Sequence, residues 1–157
     1  MNKIKFAQRS SVEFVEEGNI LAPKFNAEDV IPVVVTETKS GLVLMLGYMN
    51  KEALEKTILT KEAHYWSRSR KALWKKGESS GMVHKIDEIL IDDDQDSIWL
   101  KVTIGGLGAS CHVGYKSCFY RSVDSIEKDE VILNFTESEK VFDPEEVYPG
   151  IENPTKL

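Results

Sequence analysis

The chain has 157 residues, of which 41% are hydrophobic and 29% are charged, as in an ordinary soluble globular protein and not a fibrous or disordered one. No apolar run approaches the ~20 residues of a membrane-spanning helix, and residues 1–6 are too polar to open a signal peptide, so we expect a cytoplasmic protein. Two cysteines are too few for a disulfide-stapled scaffold. The formal net charge of −6 argues against general nucleic-acid binding.

The first predicted elements are a β-hairpin and a helix. β-Branched residues at 31–35 indicate a strand whose early proline suits an edge or a strand start, and residues 42–46 form the returning strand. Asn50 is a good N-cap for a helix over residues 51–59. Four of the helix residues share one face, so we expect the helix to pack on the hairpin. These are Ala53, Leu54, Thr57 and Ile58.

The rest of the chain is rich in predicted strands. Strands are expected at residues 63–66, 83–91, 97–104 and 131–135, with a loop at 77–81. Residues 1–24 carry few signals, and residues 144–157 form an acidic, proline-punctuated tail. The pattern predicts an α+β fold, a compact strand-rich domain with one main helix that takes in residues 1–157 as a single domain.

A run of aspartates at residues 92–96 is the sharpest local feature. In an extended segment Asp92, Asp94 and Asp96 project from one face and Asp93 from the other, because side chains alternate. Carboxylates gathered in this way repel one another unless a hard cation such as Mg²⁺ or Ca²⁺ lies among them. The run lacks the central glycine and the closing glutamate of an EF-hand loop. The alternative is a solvated acidic turn.

The two cysteines form the second feature, since Cys111 is followed by His112 and Cys118 lies seven residues further on. Thiolates and an imidazole close together suit Zn²⁺, although a third protein ligand must then come from elsewhere. The alternative is a pair of buried thiols or one disulfide.

A basic and aromatic stretch at residues 64–76 is the third feature. Arginine binds phosphate oxygens through two parallel hydrogen bonds, and tryptophan can stack on a purine, so this stretch favours a phosphorylated ligand. The alternatives are an exposed basic surface with core tryptophans, or a platform for single-stranded nucleic acid. The candidate ligand-binding residues are Trp66, Ser67, Arg68, Arg70, Trp74, Lys75 and Lys76.

Taken in order, these segments resemble the phosphoribosyl-AMP cyclohydrolase family of histidine biosynthesis. The resemblance covers about residues 25–121 and leaves residues 122–157 as a C-terminal extension. The matching segments read VLMLGYMN, EAHYWSRSR and LWKKGESSG, followed by the aspartate cluster, CHVG and SCFYR.

The resemblance implies a homodimer with its active sites at the subunit interface. There the aspartate triad of Asp92, Asp94 and Asp96 binds Mg²⁺, and three cysteines from the two chains bind Zn²⁺. Cys111 and Cys118 match two of the three cysteines, and Asp93 stands at the position of the third. We therefore expect Zn²⁺ or another divalent transition metal, with Asp93 as its third ligand because a carboxylate can replace a thiolate. His84 or His112 would complete the site otherwise.

The activity implied is the hydrolytic opening of the N1–C6 bond in the adenine ring of 1-(5-phosphoribosyl)-AMP, the third step of histidine biosynthesis. Water activated by a metal would add at C6, with His112 as the candidate for proton transfer. Two alternatives remain open. One is a divergent relative that acts on a related purine nucleotide, and the other is a non-catalytic protein that binds nucleotides or nucleic acid. The expected partners are the phosphorylated substrate and a second copy of the chain, with no membrane and no nucleic acid.

Overall fold

The computed structural model describes residues 3–157, which form eight strands and three short helices. The strands are β1 (Ile31–Glu37), β2 (Val43–Met49), β3 (His64–Ser67), β4 (Ala72–Lys75), β5 (His84–Ile91), β6 (Ile98–Ile104), β7 (Arg121–Glu127) and β8 (Glu130–Phe135). The helices are α1 (Val12–Glu17), α2 (Lys51–Thr60) and α3 (Pro144–Val147). This is the strand-rich α+β fold that the sequence predicts.

A four-stranded sheet in the order β2-β1-β6-β5 forms the centre of the fold. Strand β1 is antiparallel to β2 and parallel to β6, and β5 is antiparallel to β6. Pro32 pairs with Tyr48 of β2, whereas pairing with β6 begins one residue later, at Val33. The missing N–H of the proline is therefore tolerated at the start of an internal strand. The interpretation of Pro32 as marking a strand start is confirmed, and an edge position is wrong.

One face of this sheet is covered by α2 and the β3–β4 hairpin. Asn50 caps α2 through a hydrogen bond from the backbone N–H of Ala53 to its side-chain oxygen (2.9 Å). Ala53, Leu54 and Thr57 are buried, and Ile58 packs at the margin of the same core. The predicted cap and the predicted buried face of this helix are confirmed.

The opposite face of the sheet, here called the outer face, has no covering element among residues 3–157. The register places Leu46, Val34, Trp99 and Leu90 side by side across all four strands. Leu46 is 52% exposed and Trp99 is 39% exposed. A shallow groove of about 270 Å³ follows this apolar row and ends at Asp92. The outer face therefore joins an uncovered apolar surface to the aspartate run.

Four elements were not predicted from the sequence, and one of them, α3, is a four-residue helix at the start of the stretch predicted as an acidic tail. Strand β4 lies in the basic stretch, where lysines on both sides hide the apolar pair at its centre. Strand β7 is exposed along its length, so its sequence lacks the alternation that burial of one face imposes. Helix α1 has only six residues, too few to show a helical period.

Candidate active site

The aspartate cluster lies in the connection between β5 and β6, here called the aspartate loop (residues 92–97). The segment is a turn and not an extended strand, because Gln95 adopts a left-handed conformation with φ of 57°. The predicted alternation of Asp93 against its neighbours along a strand is therefore wrong. The turn itself gathers the three other carboxylates, and ligand oxygens of Asp92, Asp94 and Asp96 lie within 4.8 Å of one another.

Hydrogen bonds within the loop fix this arrangement. The Asp92 carboxylate accepts the backbone N–H of Asp96 (2.9 Å) and of Ser97 (3.0 Å), and it also accepts the Ser97 hydroxyl (2.6 Å). Hydrogen bonds to the carboxylates of Asp92 and Asp94 raise the pKa of Asp96 to about 6. The raised pKa records the repulsion among the three carboxylates, which a cation bound among them would relieve.

The two cysteines lie in a tight turn of residues 110–118, here called the cysteine turn. The backbone N–H of Cys118 bonds to the carbonyl of Leu44 in β2 (2.7 Å), which anchors one end of the turn on the central sheet. Gly114 has a φ of 110°, and a Cβ there would lie 2.4 Å from the carbonyl oxygen of Phe142. Only glycine fits this close approach, so Gly114 sets how the turn folds back.

Cys111 and Cys118 are free thiols that hydrogen-bond to each other. Neither is in a disulfide, so that alternative reading of the pair is wrong. The hydrogen bond from Cys118 lowers the pKa of Cys111 to about 6, and the same contact raises the pKa of Cys118. A pair that gives up its first proton this readily is chemically suited to a metal that takes thiolate ligands.

A buried network supports the cysteine turn from below. His84 has its Nδ1 3.0 Å from the hydroxyl of Tyr65 and its Nε2 3.1 Å from the hydroxyl of Ser110, which precedes Cys111. Burial lowers the pKa of His84 to about 3, so the ring is neutral. Both ring nitrogens are used in hydrogen bonds, which favours a supporting role for His84 over a role as metal ligand.

A cavity of about 1010 Å³ opens beside the cysteine turn. It is lined by His112 and Cys118 from this turn and by residues of the β3–β4 hairpin. All seven residues predicted to bind a phosphorylated ligand are among its lining: Trp66, Ser67, Arg68, Arg70, Trp74, Lys75 and Lys76. The structure therefore gathers into one cavity two features that lie more than 30 residues apart in the sequence, the basic stretch and the cysteine turn.

The cations of this cavity differ in how firmly they are held. Lys76 donates to the carbonyl of Ser110 (2.5 Å), and burial lowers its pKa although the nearby cysteines oppose this. Lys75 pairs with Glu62 (2.5 Å). The guanidinium of Arg68 stacks 3.8 Å above the ring of Tyr48 in the cavity lining, and no carboxylate of residues 3–157 pairs with it. Arg68 thus keeps its hydrogen-bonding capacity for a ligand.

His112 lies at the edge of the cavity next to the C-terminal residues. Its Nε2 is 3.5 Å from the hydroxyl of Thr155. Burial lowers the pKa of His112 and the Lys76 charge adds to this, while a hydrogen bond with Asn153 acts in the opposite direction. A histidine neutral at pH 7 can accept a proton from water. The sequence carried no signal that the tail would reach this cavity.

The aspartate loop and the cysteine turn share no group of three close metal-ligand atoms among residues 3–157. Among residues 3–157, the triad is the only group of three acidic, histidine or cysteine side chains whose ligand atoms lie close enough to hold a metal. Neither cysteine belongs to it, and Asp93 is exposed at the loop surface. Within residues 3–157, the two thiols therefore lack a third ligand of this kind.

Comparison with known proteins decides the family. The family model for phosphoribosyl-AMP cyclohydrolase matches residues 45–120, which include the basic stretch, the aspartate loop and the cysteine turn. The chain is 51% identical over 142 residues to the phosphoribosyl-AMP cyclohydrolase of Rhodopseudomonas palustris strain HaA2, covering 90% of this chain and 95% of that protein. The chain belongs to the phosphoribosyl-AMP cyclohydrolase family.

Two further relatives agree with this assignment. The phosphoribosyl-AMP cyclohydrolase of Rhodopseudomonas palustris strain BisB18 is 51% identical over 139 residues, covering 88% of this chain and 94% of that protein. The phosphoribosyl-AMP cyclohydrolase of Nitrobacter winogradskyi is 49% identical over 140 residues, covering 89% of this chain and 94% of that protein. The predicted family, a hydrolase family of histidine biosynthesis, is confirmed. No helix among residues 3–157 is both long and apolar enough to cross a membrane.

Proposed function

We propose that the chain hydrolyses the N1–C6 bond of the adenine ring in 1-(5-phosphoribosyl)-AMP. The observation that carries the proposal is the cavity that brings His112 and Cys118 together with the basic and aromatic side chains of the β3–β4 hairpin. This substrate carries two phosphates and a cationic purine, so it needs several cations and a stacking surface. Membership of the phosphoribosyl-AMP cyclohydrolase family supports the same reaction.

Phosphate binding falls to the cations of the cavity. Arg68 and Arg70 present guanidinium groups at the mouth, and Lys76 lies deeper, beside the cysteine turn. Guanidinium groups bind phosphate oxygens in pairs, whereas lysine acts as a compact point charge. Trp66 and Trp74 line the same cavity and offer aromatic surface to the purine.

The aspartate triad fits Mg²⁺. Its three ligand oxygens lie within 4.8 Å of one another, and hard divalent cations take carboxylate oxygens of this kind. The raised pKa of Asp96 shows that the gathered carboxylates are held together against their own repulsion. Mg²⁺ bound there would help to hold a phosphate or a ribose of the substrate.

Cys111 and Cys118 fit Zn²⁺ or another divalent transition metal, with Asp93 of the partner subunit as the third ligand. The paired thiols supply two soft donors, and a carboxylate in place of a third thiolate widens the range of metals accepted. When bound, such a metal lowers the pKa of a water molecule towards ~7. His112 is then the residue that accepts a proton at its ring nitrogen and returns it when the N1–C6 bond opens.

A homodimer would bring the two halves of the site together. The outer face of the central sheet presents an apolar row from Leu46 to Leu90, and its groove ends at Asp92. A second copy packed on this face would cover exposed apolar side chains and lie directly beside the aspartate loop. Stable interfaces of obligate dimers bury ~2,000 Å² or more in total. Sedimentation that shows an active monomer would contradict this arrangement.

The experiment that tests the proposed function is an assay on phosphoribosyl-AMP after removal of all metals and re-addition of single metals. We expect turnover to need Mg²⁺ together with one transition metal, and to fail with either alone. Absence of turnover with every metal pair would contradict the proposal and favour a related purine nucleotide as substrate. Retention on single-stranded DNA that falls steeply with salt would favour a nucleic-acid binder instead.

A further inference from the structure

Gln95 is the one neutral residue within the run of aspartates, and its side chain points into the protein. It is 4% exposed, although it lies in a surface loop. Its side-chain oxygen accepts the backbone N–H of Ala22 (2.7 Å), and its amide nitrogen donates to the carbonyl of Val15 (2.9 Å). Both ends of the amide are therefore bonded to the N-terminal segment, defined here as residues 9–24.

The same segment makes two further contacts with the loop backbone. The N–H of Lys24 donates to the carbonyl of Gln95 (2.7 Å). The guanidinium of Arg9 bridges two carbonyls, that of Ala22 (2.6 Å) and that of Asp94 (2.7 Å). The N-terminal segment thus holds the aspartate loop at two consecutive residues, and one of them supplies a carboxylate to the triad.

These contacts act on the part of the loop that decides where the carboxylates point. Gln95 has a φ of 57°, a left-handed conformation that non-glycine residues rarely adopt without support. This turn folds Asp96 back towards Asp92 and Asp94, against the repulsion among their charges. A loop held in this way before the cation arrives loses less conformational freedom on binding, and so binds the cation more tightly.

We propose that Gln95 and Arg9 are positioning residues that tie the aspartate loop to the N-terminal segment and so set its affinity for Mg²⁺. This inference rests on the proposed function, because it takes the triad as the Mg²⁺ site. A glutamate at position 95 could not replace glutamine, since a carboxylate has no N–H to donate to Val15 and adds a fourth like charge. A lysine at position 9 lacks the planar fork that reaches two carbonyls.

The test is isothermal titration calorimetry, in which Mg²⁺ alone is added to the metal-free protein and the heat of binding is measured. The variants compared are Gln95→Ala, Gln95→Gly and Arg9→Ala. Loss of residues that orient metal ligands commonly weakens affinity by roughly ten- to a hundredfold. We expect a loss in that range for both Gln95 variants and a smaller loss for Arg9→Ala. Gln95→Gly relieves the backbone strain but removes the same two side-chain hydrogen bonds as Gln95→Ala. An equal loss of Mg²⁺ affinity in the two variants therefore identifies these hydrogen bonds as the cause.

Two controls separate positioning from a general loosening of the segment. Ser11→Ala removes the cap of α1, where the Ser11 hydroxyl accepts the N–H of Phe14 (3.0 Å), and leaves the loop contacts intact. It should bind Mg²⁺ as the unaltered protein does. In steady-state assays the Gln95 and Arg9 variants should need more Mg²⁺ for half-maximal rate, yet reach an unchanged kcat when Mg²⁺ saturates.

The outcomes distinguish this inference from the proposed function. If Asp94→Asn abolishes Mg²⁺ binding while Gln95→Ala and Arg9→Ala leave it unchanged, the positioning role is wrong and the metal site stands. If Asp94→Asn leaves Mg²⁺ binding unchanged, the metal site itself is wrong. An equal loss in Ser11→Ala would also overturn the positioning role. Should the Gln95 variants fail to fold, Arg9→Ala and Arg9→Lys decide the matter, because Arg9 is exposed.

Discussion

The aspartate loop and the cysteine turn are held in place by different means. The loop gathers three carboxylates, and its backbone is tied to the N-terminal segment through Gln95 and Arg9. The cysteine turn rests on β2 and on the buried ring of His84, but it offers only two thiols. Under the proposed function, the triad is a finished centre because its three protein ligands come from one chain, whereas the cysteine pair is an unfinished centre because its third ligand comes from the partner subunit. Holding the ligands in place and supplying all of them from one chain are thus separate properties of the two proposed metal sites.

The largest expected effect comes from the finished centre. Asp94→Asn removes one of the three charged ligands, and we expect activity at limiting Mg²⁺ to fall by roughly a hundredfold or more. The fold should persist, since the remaining carboxylates repel each other less. Activity and thermal unfolding measured together check both points. Asp124→Asn, an exposed aspartate of β7, is the matched control and should change neither. Unchanged turnover in Asp94→Asn would remove the triad from the site.

The unfinished centre gives the next effect. Asp93→Ala should lose bound transition metal and turnover, whereas Asp93→Cys should bind Zn²⁺ more tightly and keep activity, because thiolate is the softer donor. Zinc content measured after dialysis against a weak chelator checks this pair. With one thiolate fewer to lose, the unaltered protein should also resist oxidation better than Asp93→Cys. Full metal content and turnover in Asp93→Ala would show that Asp93 is not a ligand.

A smaller effect is expected in the cavity. Arg68 stacks on Tyr48 and has no carboxylate partner in the described part of the chain, so Arg68→Ala should remove the proposed phosphate contact without disturbing the cavity wall. Loss of a hydrogen bond to a charged group corresponds to roughly a tenfold or larger rise in KM. The value of kcat should change little. Lys128→Ala, in the turn between β7 and β8, is the matched control. A kcat that falls while KM stays constant would place Arg68 in the chemical step instead.

The smallest effect concerns pH and the metal-free protein. The pKa of Asp96 is raised from 3.8 to about 6, so the folded state holds this proton more tightly than the unfolded state does. The free energy of unfolding that Asp96 contributes therefore falls as pH rises from about 4 to about 6, and it stays constant above pH 6. Urea unfolding of the unaltered protein and of Asp96→Asn should show a difference that grows over this range and that added Mg²⁺ reverses. A constant difference would contradict the assigned pKa.

Much of the fold follows from local signals in the sequence. The central strands have apolar alternation, and Asn50 marks the start of α2, because both features reflect contacts within a few residues. The β7–β8 hairpin and α1 were harder to find, since neither buries a regular face. The tail's approach to His112 depends on residues 43 positions apart in the chain, and no local pattern encodes such a contact.

The candidate site also has parts that the sequence predicts and parts that only the folded chain reveals. The aspartate triad was predicted from its spacing, yet for the wrong geometric reason, because a turn at Gln95 and not strand alternation brings the carboxylates together. The lone glutamine among four aspartates is the one local signal in the sequence that points to this turn. The Tyr65–His84–Ser110 network joins three distant segments, so it becomes visible only once the chain is folded.

We propose that each active site combines the aspartate loop of one chain with the cysteine turn of another, and mixed dimers test this arrangement most directly. Asp94→Asn and Cys118→Ser chains, each inactive alone, are co-expressed with different tags, and the mixed dimer is purified through both. One of its two sites then has all its ligands, so we predict roughly half the activity of the unaltered dimer. A mixed dimer of Asp92→Asn and Asp94→Asn chains, which retains no intact aspartate loop, should stay inactive. If the Asp94→Asn and Cys118→Ser pair also stays inactive, the two halves of the site belong to the same chain and the account is wrong.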